Sequence, residues 1–412
     1  MEQMAIRRLF PGLKGKFPDI WRRDMMETLK VPYGMRDHLP GEAARMRGLE
    51  TKLVKLFSTW GYDEVSTPTI EYLDTLTLGG NALELHMFKL FDRGNETVAL
   101  RHEMTTPIAR LAASRLSEAP MPLKLSYCAN VFRYEQAQTG RQCEFRQAGV
   151  ELLGAGGAEA DAEVIALAVA SLSEAGLADF QISIGHAGFI RGLMEQAGLD
   201  AKSRENVEKA LERHDLVELR RIMKTSGVSG KTAEILSEIP LLCGKKEIID
   251  RVYPYALSEE SRRSLDNLSE IYRMLGSYGA ADNVMIDLGV VRDFGYYTGM
   301  VFEAYASGIG FPLAGGGRYD RLLSSFGTPC PATGFATGIE RIAIALGESE
   351  EFAAPKDMFI AYAEGNREQA IHKAKEVRDD GHTAELAFTA MDEKTALKMK
   401  NEKGYSSLIY IK

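Results

Sequence analysis

The residues best suited to chemistry lie in a charged segment, VFRYEQAQTGRQCEFRQAGVE, at positions 131–151. Two strand-like stretches flank a polar middle, which predicts a β-hairpin. In the second stretch Gln147, Gly149 and Glu151 fall at every second position and therefore share one face of a strand. An amide and a carboxylate would then point together into a groove that could hold a charged small molecule.

Two other segments add polar residues to this set. LRHEMTT places Glu103 and Thr105 two positions apart, on one face of a predicted strand, and VVRDFGYYTG adds Arg292 and the pair Tyr296 and Tyr297. A cavity for a zwitterionic amino acid needs acceptors for the ammonium group and a cation for the carboxylate. Together the segments supply both, although any one of these carboxylates taken alone is more often a solvated strand residue, and each tyrosine more often part of the core.

Other chemical signals are weak. The run AGGGRYD lacks the spacing of a phosphate-binding loop, and His102 and His186 fit structural roles better than catalytic ones. The four cysteines show no C-x-x-C spacing and no partner histidines, so we expect reduced thiols, no metal site and no cofactor. Net charge is -8, which does not favour nucleic-acid binding. No apolar run reaches the length of a membrane span, and a cytoplasmic protein is expected.

The hydrophobic pattern predicts the elements that would position these residues. We expect a helix at 41–60, an edge strand containing Pro68, two strands joined at Arg93–Asn95, and a helix at 107–115. Further along, we expect a helix ended by Gly176, a strand at 179–186, a helical region at about 187–279, and strands with glycine turns at 284–320. After Pro355 the chain alternates strand, helix, strand, helix, strand, which predicts a small three-layer α/β unit.

Together these segments resemble the catalytic core of a class II aminoacyl-tRNA synthetase of the histidyl type, from about residue 31 to residue 346. GYDEVSTPTIE resembles motif 1, the hairpin segment resembles motif 2, and GFATGIERI resembles motif 3. VVRDFGYYTGMVFE and LAGGGRYD resemble segments particular to the histidyl enzymes. The resemblance implies an α+β fold, in which an antiparallel sheet is flanked by helices and interrupted by a helical insertion.

The resemblance also implies roles for single residues. Glu103, Thr105 and Gln147 match positions that hold the substrate ammonium group, and Glu151 and Tyr297 match those that bond the imidazole nitrogens. A carboxylate and a phenol would satisfy both polar atoms of a buried imidazole. Arg292 matches an arginine near the carboxylate, and Tyr296 is placed in the histidine site. Arg133, Arg141 and Arg341 match ATP-contacting arginines. We also place Arg133 in the histidine site, whereas Arg141 and Arg341 would be vestigial nucleotide contacts.

Two related families compete for this chain: the histidine–tRNA ligases and the regulatory subunits of ATP phosphoribosyltransferase. LRHEMTTPIARLAASRL resembles the LRxDMTxPIARLVA pattern of the regulatory subunits, and RDFGYY replaces the RGLDYY of the ligases. Asp293 would repel phosphates. Glu103, the arginines and GIERI are ligase-like. The balance favours a regulatory subunit.

That interpretation predicts a chain without catalysis of its own. It would complete a short-form catalytic subunit at the first step of histidine synthesis and mediate feedback inhibition by histidine. A dimer through the motif 1 region is expected, and tRNA is an unlikely partner because residues 355–412 carry ten Lys plus Arg against ten Asp plus Glu. The alternatives are a ligase and a histidine-binding interaction paralogue.

The expected domains follow from the same resemblance. Residues 1–30 form an N-terminal extension, either a disordered basic tail or a segment upstream of a true start at Met25 or Met26. Residues 31–350 form the synthetase-like core with its insertion at about 187–279, and residues 355–412 resemble a truncated anticodon-binding domain.

Overall fold

The computed structural model describes residues 29–78, 86–134, 142–290, 295–347 and 356–412. The described residues fall into two compact units, one within Met1–His38 and Leu49–Gly347 and the other within Leu39–Gly48 and Glu348–Lys412. None of the helices within the described ranges is both long enough and apolar enough to cross a membrane.

The elements are numbered here in chain order. The helices are α1 Pro40–Thr59, α2 Leu73–Thr77, α3 Thr105–Arg115, α4 Gly157–Glu174, α5 Ala187–Gln196, α6 Ala201–Glu212, α7 Leu216–Thr225, α8 Gly230–Glu238, α9 Glu247–Val252, α10 Glu259–Ser277, α11 Leu322–Ser325, α12 Ile339–Ala345, α13 Arg367–Asp379 and α14 Glu393–Glu402. The strands are β1 Asp63–Glu64, β2 Ile70–Tyr72, β3 Lys89–Phe91, β4 Thr97–Leu100, β5 Leu123–Phe132, β6 Glu144–Leu153, β7 Phe180–His186, β8 Cys243–Gly244, β9 Val284–Asp287, β10 Met300–Ala306, β11 Ala314–Arg318, β12 Ala332–Gly338, β13 Met358–Tyr362, β14 Ala384–Leu386 and β15 Ser407–Ile411.

Nine of these strands form one large sheet in the order β1-β5-β6-β12-β11-β10-β7-β9-β8. Neighbouring strands within this sheet are antiparallel, except for the parallel pairs β1–β5 and β7–β9. The hairpin of β5 and β6 is the longest pairing and runs from Leu123 opposite Leu153 to Phe132 opposite Glu144. The mostly antiparallel sheet flanked by helices confirms the predicted fold class.

One hydrophobic core lies where α3 packs against the β5–β6 hairpin. Ile108, Ala109 and Ala112 are buried on α3, spaced as on one helix face. They pack with Tyr127 and Tyr319 of the large sheet region. This packing brings Thr105, the first residue of α3, within hydrogen-bond distance of Glu151 on β6.

A second, three-stranded antiparallel sheet has the order β2-β4-β3. The turn at Arg93–Asn95 is confirmed, with Asn95 in the left-handed region at φ 65°. The prediction of a strand that contains Pro68 is wrong. β1 ends before Pro68, β2 begins after it, and the two strands belong to different sheets. Instead, the carbonyls of Thr67 and Pro68 accept hydrogen bonds from the buried Arg101 guanidinium at 2.8 and 3.3 Å.

The region at 187–279 is helical, with β8 as its short strand. In α10, Leu265, Leu268, Ile271 and Leu275 are buried at the spacing of one helix face. The last 57 residues, described by themselves, form the parallel sheet β14-β13-β15 with α13 and α14, as the alternating pattern predicts.

Candidate functional site

The site is built on one face of the large sheet, centred on β6. Glu151 pairs with Leu125 of β5 and Gly334 of β12, and Gln147 pairs with Ala129 and Gly338. Both residues therefore point to the same side, as the alternation predicts. Tyr127 lies opposite Gly149 between them and adds a buried phenol to this face.

The floor beside Glu151 is made of glycine backbone. A Cβ atom at Gly334 would collide with the Glu151 carboxylate, and one at Gly149 would lie 2.6 Å from the Tyr127 hydroxyl. A Cβ at Gly317 would lie 2.8 Å from the Tyr297 ring. These glycines let a carboxylate and two tyrosines lie directly against the sheet.

Glu151 is the buried acid of the site. Its Oε1 accepts a hydrogen bond of 2.8 Å from the Thr105 hydroxyl, and its Oε2 accepts one from the Tyr319 hydroxyl. Burial raises the pKa of Glu151 from 4.5 to about 8, against the lowering effect of both hydroxyl donors. A ligand that offers an N–H group or a positive charge would favour the ionised carboxylate.

Tyr319 belongs to the site, but the sequence assigns it no role: AGGGRYD lacks the spacing of a phosphate loop, and its resemblance to the histidyl enzymes does not single out the tyrosine. Its ring stacks on that of Tyr296, with centroids 5.4 Å apart, and Tyr296 meets Tyr297 edge to face at 5.0 Å. Burial, followed by the nearby carboxylates, raises the pKa of Tyr296 well above 10. The pKa of Tyr319 is raised in the same way, and both phenols therefore remain neutral hydrogen-bond donors.

The placement of Glu103 and Thr105 on a strand face is wrong. β4 ends at Leu100, and Thr105 is the first residue of α3. The Glu103 carboxylate accepts hydrogen bonds from the backbone N–H groups of Thr105 and Thr106, two of the donors that a helix start leaves without helical partners. Thr105 thus binds Glu103 through its backbone and Glu151 through its hydroxyl, which brings the two acids together.

The four arginines with predicted roles fall in different places. The Arg133 guanidinium donates to the His102 carbonyl at 2.9 Å and lies over the Phe145 ring, at the end of the hairpin beyond Gln147. Arg341 lies on the exposed side of α12, where Nη1 donates to the Pro312 carbonyl at 2.7 Å. Arg141 and Arg292 lie outside the described residues, as does Asp293.

Of the two histidines considered from the sequence, His102 is buried and His186 is partly buried. His186 Nδ1 accepts the N–H of Gly188 and caps α5, while burial lowers the pKa of His186 to about 3. Burial lowers the pKa of His102, against the raising effect of the Glu103 charge and with a smaller lowering effect of the Arg133 charge. Within the described ranges no group of His, Cys, Asp and Glu side chains is arranged to hold a metal ion.

The cluster can therefore bind a small ligand through carboxylates, phenols and flat rings. Two acids, Glu103 and Glu151, lie within a layer of tyrosines, which suits a ligand with a positive charge and a planar ring. Its residues come from α3, β5, β6 and the segments next to β10 and β11.

Comparison with known proteins places this arrangement in a family. The family model described as histidyl-tRNA synthetase matches residues 34–342, three quarters of the chain. An ATP phosphoribosyltransferase regulatory subunit of Desulforamulus reducens is 43% identical over 385 residues, 92% of this chain and 94% of the relative.

Similar solved structures carry names from the same family. A Bacillus halodurans structure, titled as an ATP phosphoribosyltransferase regulatory subunit/histidyl-tRNA synthetase, is 35% identical with a TM-score of 0.85 and covers 93% of this chain and 98% of its own. A histidine–tRNA ligase subunit from Alicyclobacillus acidocaldarius is 30% identical, with a TM-score of 0.66 over 77% of this chain and 97% of its own. The chain belongs to the histidyl-tRNA synthetase family and, within it, to the group of ATP phosphoribosyltransferase regulatory subunits.

Proposed function

We propose that this chain works in the cytoplasm as the histidine-sensing subunit of ATP phosphoribosyltransferase. It would assemble with a short-form catalytic subunit, perform no chemistry alone, and pair with a second copy through the motif 1 region. The observation that carries the proposal is the buried Glu151, whose carboxylate is matched by two hydroxyls in a tyrosine-lined site, in a chain whose relatives carry the regulatory name.

Histidine fits the chemistry of the cluster. Its imidazole would lie between Glu151 and Tyr297, and its ammonium group would meet Glu103, Thr105 and Gln147. Arg133 and Arg292 would be left for the carboxylate. A ligand whose ring carries two polar nitrogens satisfies a buried acid and a phenol at once, which an aliphatic amino acid does not.

Inhibition requires that histidine bind one state of the assembled enzyme more tightly than the other. The affinity ratio between the two states sets the largest shift in activity that histidine can produce. We propose that the less active state has the tighter site.

The test is reconstitution with the short catalytic subunit. Phosphoribosyl-ATP formation should rise when this chain is added and fall when histidine follows. A mixture no more active than the catalytic subunit alone would overturn the assignment.

The ligase alternative draws on the similarity to the Alicyclobacillus acidocaldarius ligase subunit. It demands histidine-dependent exchange of pyrophosphate into ATP by this chain alone, together with charging of tRNA. The balanced charge of residues 355–412 disfavours tRNA as a partner. Absence of exchange in the same preparation that activates the catalytic subunit would exclude this alternative.

A further inference from the structure

Arg191, a residue of the helical region at 187–279, hydrogen-bonds the backbone at the tyrosine pair of the site. Arg191 of α5 donates from Nη2 to the Thr298 carbonyl at 2.7 Å and from Nη1 to the Tyr297 carbonyl at 3.2 Å. Its Nε donates to Glu260 of α10 at 3.1 Å. One guanidinium thus joins two successive backbone carbonyls at the site to an acid on another helix.

The segment that Arg191 holds leads directly to the site. Thr298 donates its N–H to the Arg318 carbonyl at 2.8 Å, and its hydroxyl accepts the N–H of Asp320 at 3.0 Å. Tyr319, between those two residues, donates to Glu151. A displacement of Thr298 would therefore reach both the Tyr296–Tyr297 pair and the donor to the buried acid.

The helix that carries Arg191, α5, is tightly packed. The α5 helix begins with Ala187 donating to the Gly299 carbonyl at 2.9 Å, and seven of its ten residues are buried. The helices α5 and α10 approach closely, because a Cβ at Gly192 would lie 2.6 Å from the Ser261 nitrogen and one at Gly188 would lie 2.6 Å from the Ser264 hydroxyl. A guanidinium anchored on such a base fixes the backbone it binds.

We propose that Arg191 is a positioning residue for the ligand site, and that through it the packing of α5 against α10 is coupled to occupancy of that site. This inference rests on the proposed function for the identity of the ligand, histidine. Arg191 acts through the backbone of Tyr297 and Thr298, and Glu260 acts through Arg191.

The test compares five full-length variants by calorimetry with histidine, four single and one double. Arg191→Gln should weaken histidine binding about tenfold, or about 1.4 kcal/mol, Arg191→Lys should recover most of that loss, and Glu260→Gln should weaken binding about threefold. The matched control is Arg273→Gln, which removes an exposed ion pair with Glu270 on the same helix as Glu260 and should change nothing. In the Arg191→Gln background, Glu260→Gln should have no further effect.

A second readout needs no ligand. Amide hydrogen exchange at Thr298 should accelerate about tenfold in Arg191→Gln and stay unchanged in the control, with exchange in the buried strand β6 unaltered. If the unmodified chain fails to bind histidine, the proposed function falls while the exchange result still decides the positioning role. Unchanged exchange at Thr298, or a Glu260→Gln effect that adds to that of Arg191→Gln, would overturn the inference.

Discussion

Charged side chains on the two faces of strand β6 have different kinds of partner. On one face Arg146 forms an ion pair with the buried Glu50 and donates to the Asn130 side chain at 3.1 Å. On the other face the partners of Glu151 among the described residues are two neutral hydroxyls, those of Thr105 and Tyr319.

This difference separates a structural network from a binding site. A buried carboxylate next to a guanidinium already has its counter-charge, and losing the guanidinium would leave that charge uncompensated. A buried carboxylate that meets neutral donors keeps its preference for a cation or an N–H group. Four predictions test that distinction, in order of decreasing effect.

Removing the acid on the ligand face should abolish recognition. We expect Glu151→Ala to weaken histidine binding at least a hundredfold, about 3 kcal/mol, because the acceptor for the imidazole is lost. Calorimetry measures the affinity, and activation of the catalytic subunit should survive. Glu144→Ala, at the start of the same strand, is the matched control. An unchanged affinity in Glu151→Ala would contradict the proposed site.

The same acid should make stability depend on pH. Because folding raises the pKa of Glu151 from 4.5 to about 8, the folded state holds the proton more tightly, and stability is lost as pH rises through that window. Relative to Glu151→Gln, the unmodified chain should lose about 3 kcal/mol of unfolding free energy between pH 5 and pH 8. Urea unfolding at both pH values measures this difference, and parallel pH profiles for the two proteins would refute it.

On the opposite face, the same kind of change should affect folding and spare binding. Arg146→Ala removes the ion pair with the buried Glu50, and we expect a loss of about 2 kcal/mol in unfolding free energy. Histidine affinity should change less than threefold. A large loss of affinity with normal stability would mean that the two faces are not separate in function.

The smallest effect is expected from the Tyr319 hydroxyl. Tyr319→Phe keeps the ring against Tyr296 and removes one donor to Glu151, so histidine binding should weaken about fivefold, or about 1 kcal/mol. The loss of stability should also continue to a higher pH, because the ionised acid has lost a donor and the folded pKa of Glu151 rises further. Calorimetry and urea unfolding provide the two measurements, and identical values in both would show that the hydroxyl has no role.

Local alternation was sufficient to place Gln147 and Glu151 on one face, since the side-chain direction in a strand follows from position alone. It failed at Glu103 and Thr105, where polar residues two apart fit a strand face and a helix start equally well. What decides between them is the Glu103 carboxylate turning back onto the N–H groups of Thr105 and Thr106.

Tyr319 and Arg191 could not be placed by local pattern. Tyr319 reaches Glu151 across 168 positions of sequence, through a strand order that brings β12 between β6 and β11. Arg191 contacts backbone carbonyls, and because every residue has one, the sequence does not show which residues accept from Arg191. Contacts of this kind depend on the assembled sheet.

The glycine floor described above determines where the side chains that meet the ligand can lie. Gly149, Gly317 and Gly334 leave the space that Glu151 and two tyrosines occupy. Side chains pressed against main chain have few rotamers left to lose when a ligand arrives, so little ordering entropy opposes binding there. A Cβ atom at any of the three glycines would displace these groups, which makes their placement a property of the main chain.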